Sequence, residues 1–359
     1  MSTWITPRRA AAATAATAAI VALLAGGPPA AAADEAPAAF TIDDPRVIES
    51  SGLQASERHP GVYWTHNDSE DAAAIYAVDS ATGETVATVT LSGITARDIE
   101  AISLGPDGDL YIGDIGDNFD GGWSEVWIYR IPEPERLADT AVTPTVHTVQ
   151  YEDGPRDAEA LMVHPVTGRV YIASKKQDGS GALYAGPEEL SGTAPNVFAR
   201  VADTDLWVTD GAFSPDGTRL LLRGYFTAQM YEWRADEPAE LARRVIPPSQ
   251  LQGESVTFTR DGRTLMFGSE GQGSEVEPVE LRGELLPESA AEAEAAEEEA
   301  EEEASGEPAP GEGGDEGNTD DDGDGGGLSS PVLMALAVGA VVVFGVRRVM
   351  SGGGGGKDG

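Results

Sequence analysis

Apolar residues in this chain come in short continuous runs rather than in helical stripes. Val62-Tyr63-Trp64, Leu110-Tyr111-Ile112, Val170-Tyr171-Ile172, Leu220-Leu221-Leu222 and Leu265-Met266-Phe267 are each preceded by a second apolar run. Between the two runs lies a glycine-containing turn: HPG, PDG, HPVTG, PDG and RDG. Runs of this length, rich in β-branched and aromatic residues and bounded by turn chemistry, predict strands covered on both faces. Glycine supplies the positive φ of a tight hairpin.

The unit repeats, and it repeats from an acid. Glu49, Glu100, Glu159, Asp210 and Glu254 each open a strand, turn, strand sequence, with spacings of 51, 59, 51 and 44 residues. Further strands follow each pair, as in IYAVDSATGETVATVTL and VWIYRIPEP. That period is the size of one four-stranded propeller blade. The fold class read from the pattern is all-β, a β-propeller of about five blades. A sixth, degenerate blade in 131–150 or 183–208 is the alternative. Only about 29 residues follow Glu254 before Gly283, so the last blade is short of a strand. The strand-like piece from Phe40 to Ile48 is expected to pair into it, closing the ring and removing exposed edges.

Composition places the propeller within a longer chain of 359 residues. Residues 1–33 carry Arg8-Arg9, an Ala-rich apolar run and a small-residue stretch, the order of a signal peptide; an uncleaved anchor is the alternative. Residues 34–283 form the propeller domain. Residues 284–327 hold 18 acids and no basic residue, which predicts an extended acidic linker with at most a transient helix. Residues 328–346 are uncharged and long enough for a transmembrane helix, with a buried core helix as the alternative. Arg347 and Arg348 then place 347–359 as a short cytoplasmic tail. The propeller is thus expected outside the cell membrane, held by a single span.

Charge and missing residues narrow the function. The net charge is -39, and residues 34–283 alone carry 43 acids against 18 basic residues. Such a surface repels nucleic acid and anionic lipid and favours cations or basic partners. The absence of cysteine removes disulfides, thiolate metal sites and Cys nucleophiles. There is no GxSxG elbow, phosphate loop or HExxH. His59 and His164 read as turn residues.

In a propeller the inner strands line a channel, and equivalent positions form a ring. The opening acids are therefore expected at one channel mouth, met there by groups that end the second strands. The metal-ligand candidates are Glu100, Asp114, Asn118, Glu159 and Asp210, with calcium as the cofactor that suits oxygen donors. Ligand-binding candidates are Glu49, Asn67, Asp117, Lys175, Arg223, Glu254 and Glu270. His66 and Glu159 are the candidate catalytic bases. The alternative is that the acids are structural, holding backbone N–H groups of the next blade or pairing with Arg97, Arg156 and Arg223.

The lines RDIEAISLGPDGDLYIGDIGDN and GPRDAEALMVHPVTGRVYIASKK resemble repeats of secreted actinobacterial propeller proteins. They are also similar to the calcium propellers of the gluconolactonase and strictosidine-synthase-like group, and to esterase-like phytase-family propellers. That resemblance implies a calcium held by a glutamate, asparagines and an aspartate. Glu100 or Glu159, Asn67, Asn118 and Asp210 are the positions that match, while the surplus of carboxylates departs from the pattern. Two functions follow. One is a surface-displayed propeller binding a small molecule or cell-envelope partner at its acidic mouth. The other is a calcium-dependent hydrolase of esters, lactones or phosphoesters.

Overall fold

A computed structural model describes residues 37–68, 73–119 and 121–305. The predicted signal peptide 1–33, the end of the acidic stretch, the span 328–346 and the tail 347–359 lie outside the described residues. Among those described, no helix is long and apolar enough to cross a membrane.

Strand β1 (Phe40–Thr41) precedes the first blade, which holds β2 (Ser50–Ala55), β3 (Val62–Asn67), β4 (Ala74–Asp79) and β5 (Thr85–Leu91). Blade two holds β6 (Ile99–Leu104), β7 (Asp109–Asp114) and β8 (Val126–Pro132). After the short β9 (Thr140–Val142) it is completed by β10 (Thr145–Tyr151). Blade three is β11 (Ala158–Val163), β12 (Val170–Ser174), β13 (Gly181–Ala185) and β14 (Asn196–Thr204). Blade four is β15 (Val208–Phe213), β16 (Arg219–Gly224), β17 (Ala228–Arg234) and β18 (Glu237–Glu240). Blade five is β19 (Gly253–Phe258), β20 (Thr264–Ser269) and β21 (Glu275–Glu280), with β1 antiparallel to β21. The fold is a five-bladed β-propeller closed by its N-terminal strand. Residues 131–150 and 183–208 form no sixth blade; they supply outer strands. Two of these reach across blade boundaries: β9 pairs parallel with β5, and β10 pairs parallel with β14.

The hairpins between first and second strands turn at Gly61, Gly108, Gly168, Gly217 and Gly262, with φ between +71° and +79°. A side chain there would be strained, which is why the turns are written HPG, PDG and RDG. The apolar runs fill five wedges between neighbouring blades. Trp64, Ile75, Ile112 and Tyr129 fill the first wedge, and Tyr171, Leu183, Leu222 and Trp233 the third. Burial on both strand faces explains the absence of polar and apolar alternation.

Inner strands have no neighbour on their channel side, so their N–H groups need other partners. Side chains of adjacent blades supply them. Gln54 accepts from Leu104 N, Ser103 from Val163 N, Asp210 from Val256 N and Thr257 from Ala55 N.

The globule continues beyond Gly283. A 3-10 turn, Gly283–Leu285, leads into α1 (Glu288–Ser305), where the sequence predicts extended chain. Leu285, Leu286 and Ala290 are buried in the wedge between blades four and five. Arg234 pairs with Glu288 and Arg263 with Glu297, while Asp216 accepts from Ser289 N and Oγ. High Ala and Glu helix propensity, together with apolar anchoring and these cations, outweighs like-charge repulsion in this segment.

Candidate functional site

The site is made by a backbone irregularity repeated in every blade. Where each inner strand begins, its pairing with the second strand slips. The breaks lie between Ser50 and Leu53, Ile99 and Ala101, Ala158 and Ala160, Val208 and Asp210, and Gly253 and Ser255. A bulge leaves the extra residue unpaired and re-aims its side chain. The residues left unpaired are Ser51 with Gly52, then Glu100, Glu159, Thr209 and Glu254. Three of the five predicted acids therefore occupy equivalent places, and all three are buried.

Asp210 and Glu49 do not share that position. Asp210 lies one residue later, and a one-residue step along a strand turns a side chain to the other face. Its carboxylate accepts from Gly211 N and Val256 N, both at 2.7 Å, and ties blade four to blade five. Glu49 lies before β2, half-buried, with its carbonyl accepting from Asp68 N.

On the side of blades one and two, Asp68, Asp98 and Glu100 present oxygens that all lie within 4.8 Å of one another. Ser51 Oγ donates to Glu100 at 3.3 Å, and Asn118 Nδ2 donates to Asp98 at 3.1 Å. Asp68 Oδ1 and Asp98 Oδ1 are buried without a hydrogen-bond partner among the described residues. Gly116 covers the group: a Cβ there would stand 2.6 Å from both Asp98 Oδ2 and Glu100 Oε1. Burial, followed by the charges of Asp68 and Asp157, pushes Asp98 up to about 7. Burial and the neighbouring Glu159 push Glu100 well above the usual carboxylate range. No basic side chain hydrogen-bonds to these three among the described residues.

On the opposite side, Lys175 Nζ donates to Glu159 Oε1 at 2.5 Å and lies 5.6 Å from the centre of the Tyr225 ring. Burial pushes Glu159 up to about 8 against the pull of that ammonium. Burial opposes the charge on Lys175, but Glu159 outweighs it and holds the amine above its ordinary value. Glu254 accepts from Gln252 Nε2, has Oε2 buried without a partner, and is pushed up to about 9 by burial and then Glu159. Burial and then the charge of Asp68 raise Glu270, while the neighbouring Glu254 opposes them. One half of the mouth thus holds a hydrogen-bonded ammonium, whereas among the described residues the carboxylates of the other half are hydrogen-bonded by Ser51 and Asn118 and by no cation.

Several predicted site residues are structural. Asp114, expected as a metal ligand, is filled by Arg97 N, Asp98 N and Tyr129 Oη at 3.0, 2.9 and 2.7 Å. Asn118 contributes through Asp98. Asn67 accepts from Ile48 N and Glu49 N and donates to Arg46 O. Asp117 organises its loop by accepting from Phe119 N and Trp123 N. Arg223 is fully buried, donates to Ser255 O at 2.6 Å and Gly268 O at 3.0 Å, and is lowered to about 10 by burial.

His66, proposed as a base, is buried in the wedge between blades one and two. Its Nε2 stands against Gly52, where a Cβ could not fit, and burial lowers it to about 4. An imidazole with that low value and no carboxylate partner among the described residues is a weak general base.

The sequence pattern brings Asp68 and Asp98 to this rim but does not mark them as metal ligands. The signal was present in Arg97-Asp98-Ile99-Glu100 and Arg156-Asp157-Ala158-Glu159, where two-residue spacing puts both acids on one side of an extended chain. Asp157 consequently occupies the place of Asp98 in the next blade, and its Oδ1 accepts from Asp117 N at 2.8 Å.

No family model matches this chain, and no curated protein does. Solved structures align with it at low similarity. A chain of the mitotic checkpoint complex has TM-score 0.36 and 14% identity, over 64% of this chain and 63% of that one. A chain of the nidogen/laminin complex has TM-score 0.40 and 15% identity, over 62% and 73%. The PQQ-bound aldose sugar dehydrogenase from Streptomyces coelicolor has TM-score 0.38 and 13% identity, over 68% and 99%. The propeller assignment rests on the strand topology of the chain itself, and no activity transfers from these neighbours.

Proposed function

We propose that this protein is a cell-surface propeller that binds its ligand at an acidic channel mouth loaded with calcium. In this reading residues 1–33 direct export, 328–346 anchor the chain, and the propeller faces outward on its acidic stalk. The observation that supports the cation is the Asp68, Asp98 and Glu100 group, with two buried oxygens that lack partners among the described residues. Three carboxylates brought this close raise one another's proton affinity unless a cation neutralises them. All donors are oxygens, which suits calcium over zinc or copper. Asp68, Asp98 and Glu100 would hold the ion, and Ser51, Asn118 and Gly116 would position two of them. Bound calcium supplies positive charge that can coordinate oxygen atoms of a ligand.

A binding role is favoured over hydrolysis by the state of the candidate bases. His66 stands against Gly52, and Glu159 is tied to Lys175. Calorimetric titration of the full chain with calcium tests the reading. Saturable heat with about one ion per chain is expected, lost in Glu100→Gln. Absence of calcium-dependent heat and of any melting shift would refute it.

A further inference from the structure

We propose that an open cleft beside the channel mouth, walled by Trp207, is a subsite for a neutral saccharide. This names the ligand class for the mouth and rests on the reading of that face as the ligand face, but not on the cation. The cleft, open to solvent, has a volume of about 640 Å³, and its lining includes Asp157, Lys175, Lys176, Asp178, Ser180 and Trp207. Lys175 joins it to the mouth, because the same ammonium bonds Glu159.

The walls are fixed by backbone contacts. Lys175 N donates to Asp157 O at 3.0 Å. Gly179, at φ +73°, lies so close to Asp205 that a Cβ would be 3.1 Å from Asp205 O. Gly224 permits the approach of the Trp207 carbonyl, which a Cβ there would block. The Trp207 ring, 37% exposed, meets Tyr225 at 4.7 Å and 74°. Part of the indole is thereby left open to solvent beside the cleft.

Charge identifies the ligand class. Lys175 and Lys176 are the only lysines of residues 34–283, a region with 43 acids against 18 basic residues. Both line this cleft beside Asp157 and Asp178, and the Lys175 ammonium bonds Glu159 as well, so the lining carries both signs of charge. A polycation would gain more at the surrounding acidic surface, and an anion would be repelled on approach. Hydroxyl groups both donate and accept, so they suit a lining that offers carboxylate and hydroxyl oxygens beside ammonium groups. The C–H face of a sugar ring fits an exposed indole. Ser180 N and Oγ both bond Asp178, fixing that carboxylate.

The test is tryptophan fluorescence titration of the full chain, with calcium and separately with chelator. The probes are maltotriose, cellotriose and tri-N-acetylchitotriose, with spermidine and tri-galacturonate as charged controls. A saturable change is expected with at least one neutral trisaccharide, weakened about tenfold in Trp207→Leu and severalfold in Asp178→Ala. If Trp207→Leu does not fold, Trp207→Phe and Asp178→Ala decide. No response to any neutral trisaccharide, preference for a charged control, or unchanged binding in the folded variants overturns the proposal. Sugar binding in chelator without calcium heat removes only the cation; calcium heat without sugar binding removes only this subsite.

Discussion

Asp98→Asn is the most informative single perturbation of the channel mouth. Asp98 faces Asp68, Glu100, Asp114 and Asp157, and Asn118 donates an amide hydrogen bond to it. Its folded value of about 7 exceeds the ordinary 3.8. A carboxyl raised in this way holds its proton longer in the folded state than in the unfolded one. Its contribution to stability is therefore complete below 3.8 and is lost as pH climbs through about 7. The gap corresponds to at most roughly 4 kcal/mol, since Asp68 and Glu100 share the proton. For a domain of this size that amounts to up to about 10 °C in melting temperature.

The assay is thermal melting of the full chain in chelator from pH 4.5 to 8.5. The wild type is expected to lose stability steadily across that range. Asp98→Asn should show a flatter profile and melt several degrees above wild type at pH 8. Calcium at about one hundred times its dissociation constant should restore roughly 2.7 kcal/mol to the wild type at pH 8, and much less to the variant. Equal slopes for the two proteins, or wild-type stability rising with pH, would refute the electrostatic account of the mouth.

Two other perturbations separate the site from the scaffold. Gly116→Ala places a methyl 2.6 Å from Asp98 and Glu100 oxygens, so calcium binding should fall by at least about tenfold while urea unfolding shows a loss of about 1–3 kcal/mol; intact calcium affinity by calorimetry would show that the glycine does not shape the cradle. Arg223→Met removes a fully buried guanidinium that joins β16 to Ser255 and Gly268 and offsets Asp210 and Glu254. A loss of about 3–5 kcal/mol in urea unfolding is expected, and a loss under 1 kcal/mol would contradict its role as a blade clamp.

The amino-acid sequence by itself determined the architecture. Apolar runs of fixed length, glycine turns and a period near fifty residues admit few folds, because strand burial and hairpin geometry are local properties of the chain. The same local logic explains the closure by Phe40–Thr41, which the short last repeat required. It also marked the mouth acids Glu100, Glu159 and Glu254. What only the tertiary structure decided was which acids face one another. Asp210 looks like its counterparts in sequence, yet it stands one residue past the bulge and spends its oxygens on Gly211 and Val256. Asp114 is consumed by Arg97, Asp98 and Tyr129, while Asp68 and Asp98 come together with Glu100. Helix α1 was open in the same way, because its Ala and Glu content allows either state and its order rests on Arg234, Arg263 and the burial of Leu285 and Leu286. Strand register and long-range pairing are set by packing between residues far apart in the chain, and a one-residue shift that sequence spacing barely registers reverses the direction of a side chain.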